Sequence, residues 1–197
     1  DFDMFHAYIK RNHITVATLP PAYARHLDIE KLRSLRLLIT AGSEPNIDFV
    51  RACAAAGHFQ YINAYGPTES TICTNYWRLK KDWDFNTVPI GRPFSNTRMV
   101  IVNIHENTLL QPPGLPGELC IAGTALARGY LNNPGLTAGR FIFNRSYKTG
   151  DLARWLPDGD IQFLGRMDSQ VKIRGFRIEL GEIEGRLLGY DRIKEAV

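Results

Sequence analysis

The stretch LRLLITAGSEPNIDFVRACAAAGHFQYINAYGPTE, residues 35–69, decides the fold class. It opens with the apolar run Leu35–Thr40, which predicts a strand. After a Gly-Ser-Glu-Pro turn, apolar residues recur at helical spacing and stop at Gly57. A second apolar run, Phe59–Ala64, predicts another strand that leads into a polar turn. A strand, a helix and a strand in this order are typical of a parallel sheet flanked by helices.

The segments on either side first extend this pattern and then change it. Upstream, the apolar spacing in residues 2–9 indicates a helix, and Ile14–Leu19 indicates a further strand. The tetrapeptide Pro157-Asp-Gly-Asp160 predicts a hairpin turn, because Gly159 tolerates a positive φ. From residue 88 onward, short predicted strands separated by Pro and Gly indicate a distorted antiparallel barrel: Arg98–Val102, Gly117–Ala122, Leu152–Leu156 and Ile161–Leu164.

The remaining elements complete three predicted parts. Pro134–Phe141 predicts a helix within the barrel region, with the proline near its first turn. Gln170–Ile173 and Phe176–Ile178 predict a short hairpin, and the apolar spacing from Leu180 to Leu188 predicts a helix that packs on another element. We therefore predict an α/β fold with a parallel sheet and helices over residues 1–86, a β-barrel part over residues 87–167, and the start of a small α+β unit over residues 168–197.

Composition excludes several classes of protein. The chain has 197 residues, with 24 basic and 20 acidic side chains and a net charge of +4. No basic run suits nucleic acid, and no apolar run reaches the roughly 18 residues of a membrane span. Because the amino terminus also lacks the order of a signal peptide, we expect a soluble, cytoplasmic protein with no nucleic-acid or membrane partner. The three cysteines form no Cys-x-x-Cys pair and the histidines are scattered, which argues against a disulfide framework or a zinc site.

Two segments carry polar residues in an arrangement that suits a nucleotide, although P-loop, Rossmann and serine-hydrolase signatures are absent. In the first, Tyr65 is suited to stack on a base, Thr68 to donate to a phosphate, and Glu69 to hold Mg²⁺ through a hard oxygen. In Tyr147-Lys-Thr-Gly-Asp151, the last carboxylate, at the predicted start of a strand, suits the two hydroxyls of a ribose. From the residues alone, a polar capping turn is the alternative for each segment.

Four blocks of the sequence resemble, in the same order, those of the adenylate-forming superfamily, and specifically of nonribosomal peptide synthetase adenylation domains. Asn63–Ser70 matches the block that binds adenine and phosphate, and Gly117–Tyr130 matches the barrel block. Tyr147–Asp151 matches the ribose block, and Gly165–Glu184 matches the hinge with its following loop. The resemblance covers nearly the whole chain. It implies the C-terminal part of the large adenylate-forming subdomain, followed by the start of a small α+β lid.

The resemblance also implies roles for individual residues. The expected nucleotide contacts are Asn63, Ala64, Tyr65, Gly66, Thr68, Asp151, Phe163 and Arg166. Within that set, Asp151 would bind the ribose hydroxyls and Arg166 the nucleotide near the ribose and phosphate, whereas Phe163 lacks the hydroxyl of the tyrosine often found there. The residues expected to act in catalysis are Thr68, Glu69, Arg166 and Asp168. Glu69 would be the metal ligand for Mg²⁺, and Asp168 matches the hinge about which the lid swings.

A scattered set of residues resembles the side-chain pocket of phenylalanine-activating members: Thr18, Ile39, Ala41, Ala64, Ile72 and Cys73. The small alanines leave volume, the isoleucines form an apolar wall, and no charge is present to match a charged substrate. From the residues alone, the same side chains fit the core of a sheet. Because an apolar pocket discriminates by only about 1–3 kcal/mol per methylene, tyrosine, tryptophan and leucine stay open beside phenylalanine.

The resemblance implies an ATP-dependent ligase that forms an aminoacyl-AMP and passes the aminoacyl group to a carrier-domain phosphopantetheine. Gly175 would approach that thiol closely. The expected partners are an amino acid, a peptidyl carrier domain and neighbouring synthetase domains, with a small helper protein left open.

The family's phosphate loop, ammonium-binding aspartate and catalytic lysine are expected outside residues 1–197, so the chain alone should be inactive. Two alternatives are an acyl-CoA or aryl-acid ligase of the same superfamily and a noncatalytic scaffold.

Overall fold

A computed structural model describes residues 1–81, 83, 86–106, 109–142, 146–173, 176–190 and 192–196, and the statements below concern these residues. Gly175, which sequence analysis predicts near the pantetheine thiol, lies outside them. No helix within the described residues has the length and apolar character needed to cross a bilayer.

The predicted parallel sheet is confirmed, and it is longer than predicted. Its three parallel strands are β1 (Val16–Leu19), β2 (Leu37–Ala41) and β3 (Gln60–Tyr65). Two antiparallel strands that sequence analysis missed, β4 (Asn75–Arg78) and β5 (Arg92–Pro93), extend the sheet in the order β1-β2-β3-β4-β5. They are short and interrupted by long connections, so they carry little of the periodic signal on which strand prediction depends.

Four helical segments lie in the described residues of this half, and capping residues mark both ends of the one predicted to stop at Gly57. The sheet is flanked by α1 (Phe2–Arg11), α2 (Pro21–Ala24), a 3-10 helix (Ile29–Leu32) and α3 (Ile47–Ala56). The Asn46 side chain accepts from the backbone N–H of Phe49 at the start of α3. Gly57 ends α3 in the left-handed conformation, with φ +63°, as predicted.

One face of the parallel sheet is buried and the other is not. Leu38 and Tyr61 point into an apolar cluster with Phe49, Val50 and Cys53 of α3. Because side chains alternate across a strand, their neighbours in the sequence lie on the opposite face. There, residues such as Thr18 and Ile39 are exposed or half-buried.

The second half is a half-barrel of antiparallel strands, in agreement with the predicted barrel part. It consists of β6 (Thr97–Val102), β7 (Gly117–Gly123), β8 (Phe141–Ile142), β9 (Ser146–Trp155) and β10 (Ile161–Arg166), with α4 (Pro134–Arg140) before β8. The order is β10-β9-β7-β6, with β8 paired to β9. Gly159 has φ +81° in the predicted hairpin turn. A second apolar cluster, which includes Met99, Leu119 and Ile161, fills this half.

One prediction about β9 is wrong. The strand begins at Ser146 rather than Leu152, so Asp151 lies inside a long strand and not at its start. Gly150 has φ +72°, and the pairing of β9 with β7 shifts register between Glu118 and Cys120. This irregularity interrupts the alternation of apolar residues, which is why the strand was predicted to begin after it.

The last part contains the predicted hairpin and helix. Strands β11 (Val171–Ile173) and β12 (Phe176–Ile178) pair antiparallel, and α5 (Leu180–Leu188) follows. The apolar residues of α5, such as Ile183 and Leu188, are about half exposed, with 49% of their surface accessible in each case. The prediction that this helix packs on another element is therefore not met within the described residues.

The two halves meet where β5 lies beside β10. The Ile90 N–H donates to the Ile161 carbonyl at 2.8 Å, and the Ile161 N–H donates back to Gly91 at 2.9 Å. Two cations of the first half, Lys80 and Arg92, contact Asp160 at 2.9 and 3.0 Å. These contacts hold the sheet against the half-barrel.

Candidate functional site

A cavity of about 580 Å³ lies at the carboxyl end of β3, between the sheet and β10. Open sheets commonly bind ligands at this edge. Six of the predicted nucleotide residues line the cavity: Asn63, Ala64, Tyr65, Gly66, Phe163 and Arg166. Two others, Thr68 and Asp151, do not line it. The structure therefore brings most of the predicted nucleotide residues together, from segments about 100 positions apart in the sequence.

The opposite wall consists of residues that sequence analysis did not assign to the site. They are Pro21, Ala22 and Arg25 of α2 and its cap, and the turn Gly42–Asn46 that follows β2. Strands β2 and β3 are parallel and adjacent, so the turns at their carboxyl ends must lie side by side. That rule could have placed the Gly42–Asn46 turn in the site from the sequence. The position of α2 carries no comparable signal.

The end of β3 is fixed by two side-chain hydrogen bonds. Asn63 is buried, and its amide donates to the Pro89 carbonyl at 2.9 Å. The Tyr65 hydroxyl donates to the carboxylate of Asp151. Burial, followed by the charge of Asp151, raises the pKa of Tyr65 well above its ordinary value, so this hydroxyl keeps its proton.

Arg166 connects three of the predicted residues. Its guanidinium donates to Asp151 at 2.7 Å and, through two nitrogens, to both oxygens of Asp168 at 2.8 and 2.6 Å. It also donates to the Thr149 carbonyl at 2.8 Å. Burial alone raises the pKa of Asp168, but the bonds from Arg166 outweigh it and the pKa lies below its ordinary value. Tyr65, Asp151, Arg166 and Asp168 thus form one continuous polar network.

The strand below this network is held by a buried carboxylate that sequence analysis missed. Glu118 of β7 accepts from the Gly150 N–H at 3.1 Å and pairs with Lys148 at 2.9 Å. A Cβ atom on Gly150 would lie 2.9 Å from atoms of both Arg166 and Asp168. The φ of +72° favours glycine at this position, and an added Cβ atom would also displace the side-chain ends of Arg166 and Asp168.

Thr68 and Glu69 form a separate polar group in a 3-10 helix, Thr68–Ser70, just beyond β3. Thr68 is exposed, whereas Glu69 is buried. The Tyr130 hydroxyl donates to Glu69 at 2.6 Å, and Arg177 of β12 donates to both of its oxygens at 2.8 and 3.1 Å. Burial raises the pKa of Glu69, but these donors together lower it below its ordinary value. Neither Tyr130 nor Arg177 was assigned to the site from the sequence.

The turn between β3 and Thr68 is tight. A Cβ atom on Gly66 would lie 2.5 Å from the Ile72 carbonyl oxygen. Ile72 itself has φ +71°, which is rare for a β-branched residue. The Ala127 N–H donates to the Glu69 carbonyl at 2.8 Å, so the loop after β7 holds this turn from the other side.

The predicted side-chain pocket is only partly assembled. Thr18 pairs with Ile39 and Ala41 with Ala64 in the sheet register, so these four residues share one face. Ala64 alone among the six lines the cavity, and Ile72 is 72% exposed. Cys73 is half-buried in the turn that follows. Within the described residues, these side chains form an open surface rather than an enclosed pocket.

Within the described residues, no group of three or more His, Cys, Asp or Glu side chains is arranged to hold a metal ion. One carboxylate, such as that of Glu69, is enough for Mg²⁺ when a nucleotide supplies the other ligands, but in this structure both of its oxygens accept from Arg177. This ion binds nucleotides through one or two carboxylates together with phosphate oxygens and water.

Comparison with known proteins identifies the family. A family model described as AMP-binding enzyme matches residues 1–131. The chain belongs to the AMP-binding enzyme family. The match ends within the half-barrel, after the 3-10 turn that carries Glu69 and before the strand that carries Asp151.

Relatives of this AMP-binding enzyme chain are much longer than the chain itself. Tyrocidine synthase 2 of Brevibacillus parabrevis is 51% identical over 202 residues, which cover 100% of the chain and 6% of the relative. A solved structure of holo-PA1221, an NRPS protein containing adenylation and PCP domains bound to vinylsulfonamide inhibitor, gives a TM-score of 0.88 at 30% identity, covering 95% of the chain and 35% of the other.

A third comparison concerns a ligand complex. The Vibrio cholerae adenylation domain AlmE, solved in complex with glycyl-adenosine-5'-phosphate, gives a TM-score of 0.82 at 33% identity. The superposition covers 93% of this AMP-binding enzyme chain and 37% of the AlmE chain. These likenesses confirm the resemblance to peptide synthetase adenylation domains.

Proposed function

We propose that the chain is the nucleotide-binding part of an ATP-dependent amino-acid adenylation domain. In this reaction an amino-acid carboxylate attacks the α-phosphorus of ATP, an aminoacyl-AMP forms and pyrophosphate leaves. The observation that carries the proposal is the network of Tyr65, Asp151 and Arg166 beside the cavity at the end of β3. It combines an aromatic ring, a ribose-type acceptor and a fixed cation within one site.

The adenosine would lie in the cavity, between Tyr65 and the Gly42–Asn46 turn. Asp151 already accepts from Tyr65 and Arg166, one on each oxygen. Each carboxylate oxygen has two acceptor sites, so Asp151 keeps acceptor capacity for the ribose hydroxyls; because it lies behind Arg166 and does not itself line the cavity, the ribose would have to enter beside that guanidinium. The guanidinium of Arg166 would stand near the ribose and the phosphate, where a fixed cation stabilises negative charge.

The phosphates would lie toward the turn that carries Thr68 and Glu69. The exposed hydroxyl of Thr68 is available as a donor, and Glu69 would hold the Mg²⁺ that accompanies ATP. The ion, when bound, neutralises phosphate charge during transfer. Tyr130 fixes one oxygen of Glu69, which orients the carboxylate before the nucleotide binds.

The amino acid would lie against the open face of the sheet, with its side chain near Thr18, Ile39, Ala41, Ala64, Ile72 and Cys73. This face is uncharged and mostly apolar, which supports phenylalanine or a similar amino acid.

We further propose that the chain divides into residues 1–86, 87–167 and 168–197, with Asp168 as the hinge between the last two parts. In a second step, the phosphopantetheine thiol of a carrier domain would accept the aminoacyl group. The presence of two apolar clusters supports two packed parts, although Val88 belongs to the first cluster and Tyr65 to the second, so the parts interlock across the first boundary.

In the full-length protein that carries this chain, we expect exchange of pyrophosphate into ATP to depend on phenylalanine. Exchange with aspartate or lysine should stay at the level without amino acid, because the proposed pocket offers no opposite charge. The measurement is incorporation of labelled pyrophosphate over a panel of amino, aryl and fatty acids. Exchange with an aryl or fatty acid alone would favour the related acid ligases. Absence of exchange together with absence of nucleotide binding would favour a scaffold.

The three thiols allow a test of the side-chain pocket that does not depend on activity. Burial raises the pKa of all three thiols, to about 12 for the buried Cys53 and Cys120, and Cys73 is the one that is only half-buried and within reach of a reagent. We expect iodoacetamide at pH 8 to modify Cys73 first, and phenylalanine to slow that modification in the full-length protein. Peptide mass spectrometry measures the rate at each cysteine. An equal rate with and without phenylalanine would place the amino acid elsewhere.

A further inference from the structure

Glu69 is contacted by two donors that belong to different parts of the molecule. Tyr130 follows β7 in the half-barrel and donates a neutral hydroxyl to Oε1 at 2.6 Å. Arg177 belongs to the hairpin after the proposed hinge and lies 108 positions further along the chain. One of its nitrogens donates to Oε1 at 2.8 Å and to Oε2 at 3.1 Å. The side chain of Glu69 is only 8% exposed, so this contact forms largely away from water.

The two donors differ in what they leave available to a metal ion. Tyr130 is uncharged and occupies one acceptor site of one oxygen, so it is compatible with a cation on the other oxygen. Arg177 spans both oxygens and neutralises the carboxylate. A Mg²⁺ ion on Glu69 would face a guanidinium at hydrogen-bond distance, and like charges in a poorly hydrated site repel strongly.

Arg177 has a second acceptor on its own segment. Its Nε atom donates to Glu179 at 2.8 Å. The side chain is 37% exposed, so its charge is not confined to Glu69. If the contact with Glu69 were broken, Arg177 would keep Glu179 and gain water. Release therefore costs Arg177 little, whereas the buried carboxylate of Glu69 needs a replacement cation, which is what an exchange with a metal ion requires.

We propose that Arg177 and the metal ion of ATP compete for Glu69, so that the hairpin β11–β12 rests on Glu69 only while the metal is absent. This inference rests on the proposed function, in which Glu69 is the metal ligand. Tyr130 positions the carboxylate in both situations. By linkage, any factor by which Arg177 weakens metal binding is also the factor by which the metal weakens the docking of the hairpin.

The test uses the full-length protein with α,β-methylene-ATP, and Mn²⁺ as the probe ion. Free Mn²⁺ is measured by its electron paramagnetic resonance signal during a titration. We expect Arg177→Gln to bind Mn²⁺ at least about fivefold more tightly than the wild type, the lower range for coupled sites. Glu69→Gln should bind it more weakly. Arg186→Gln, which removes an exposed arginine of α5 in the same segment, should match the wild type.

The outcomes separate this inference from the proposed function. If Glu69→Gln weakens Mn²⁺ binding while Arg177→Gln leaves it unchanged or weaker, the competition is excluded and the metal site stands. If Glu69→Gln leaves Mn²⁺ binding unchanged, Glu69 is not the metal ligand and both fail.

Hydrogen exchange of the wild type supplies a readout that needs no variant. Adding Mn²⁺ to the protein with α,β-methylene-ATP should speed exchange of the Phe176–Ile178 amides, compared with the same nucleotide and a chelator. Arg177→Gln should exchange quickly under both conditions. No change in the wild-type rate would contradict the competition.

Discussion

Replacing Arg166 by alanine is expected to lower phenylalanine-dependent pyrophosphate exchange by about 10²–10³-fold, the usual loss when a fixed electrostatic contact to the reacting group is removed. The same change should destabilise the fold by about 3–5 kcal/mol, because it leaves a buried carboxylate without its cation. That carboxylate is Asp151, whose side chain is 4% exposed and which would keep only the Tyr65 hydroxyl. Exchange kinetics and urea unfolding measure the two effects.

The matched control is Arg154→Ala. Arg154 lies on β9, near Arg166 in the fold, and its guanidinium donates to Gln162 at 2.8 Å. Loss of one such hydrogen bond costs about 0.5–1.5 kcal/mol, and pyrophosphate exchange should be nearly unchanged. If the two variants were equally stable and equally active, the network around Arg166 would have no special role.

The effect of Arg166 on stability should depend on pH in a defined direction. Because the pKa of Asp168 lies below its ordinary value of 3.8, the pair with Arg166 stabilises the fold fully above that pH. The contribution is lost as pH falls through the lowered pKa and Asp168 takes up a proton. The difference in unfolding free energy between wild type and Asp168→Asn, which removes the titrating partner and leaves Arg166 on Asp151, should therefore be constant from pH 5 to 8 and shrink only in stronger acid.

Replacing Gly91 by alanine is expected to destabilise the chain by more than about 3 kcal/mol, since overpacking and backbone strain act together. Gly91 has φ +77°, and a Cβ atom there would lie 1.9 Å from the Tyr76 carbonyl oxygen and 2.2 Å from its carbon. Both are backbone atoms of β4, so no rotamer change can relieve the contact. Gly91 also accepts the Ile161 N–H that joins the two halves.

Gly114→Ala is the matched control for that prediction. Gly114 has φ +88°, but a Cβ atom there would meet nothing within 4 Å. The control therefore carries the conformational strain of about 1–2 kcal/mol without the clash. The difference between the two variants in urea unfolding isolates the steric contact at the junction. Equal losses would mean that the junction relaxes around the added methyl group.

The sequence by itself determined the regular elements and their order. Residues 35–69 specify a strand, a capped helix and a strand through local spacing, and the structure has β2, α3 and β3 there. The Gly57 stop and the Gly159 turn follow from the backbone freedom of single residues. The four blocks also determined the family, because they match in order along nearly the whole chain.

Local spacing was less informative where the regular pattern is broken. The bulge at Gly150 hid the first half of β9, and the short strands β4 and β5 carried too few alternating residues to be noticed. Both failures have one cause: strand prediction depends on an uninterrupted period of two.

Only the tertiary structure decided which side chains share the site. It paired Tyr65 with Asp151, 86 positions away, and placed Tyr130 and Arg177 on Glu69. It also added the Gly42–Asn46 turn and α2 to the cavity wall. Spacing along the chain determines which face of an element is apolar. The packing of distant elements depends on how the two halves close on each other, and no local pattern records that arrangement.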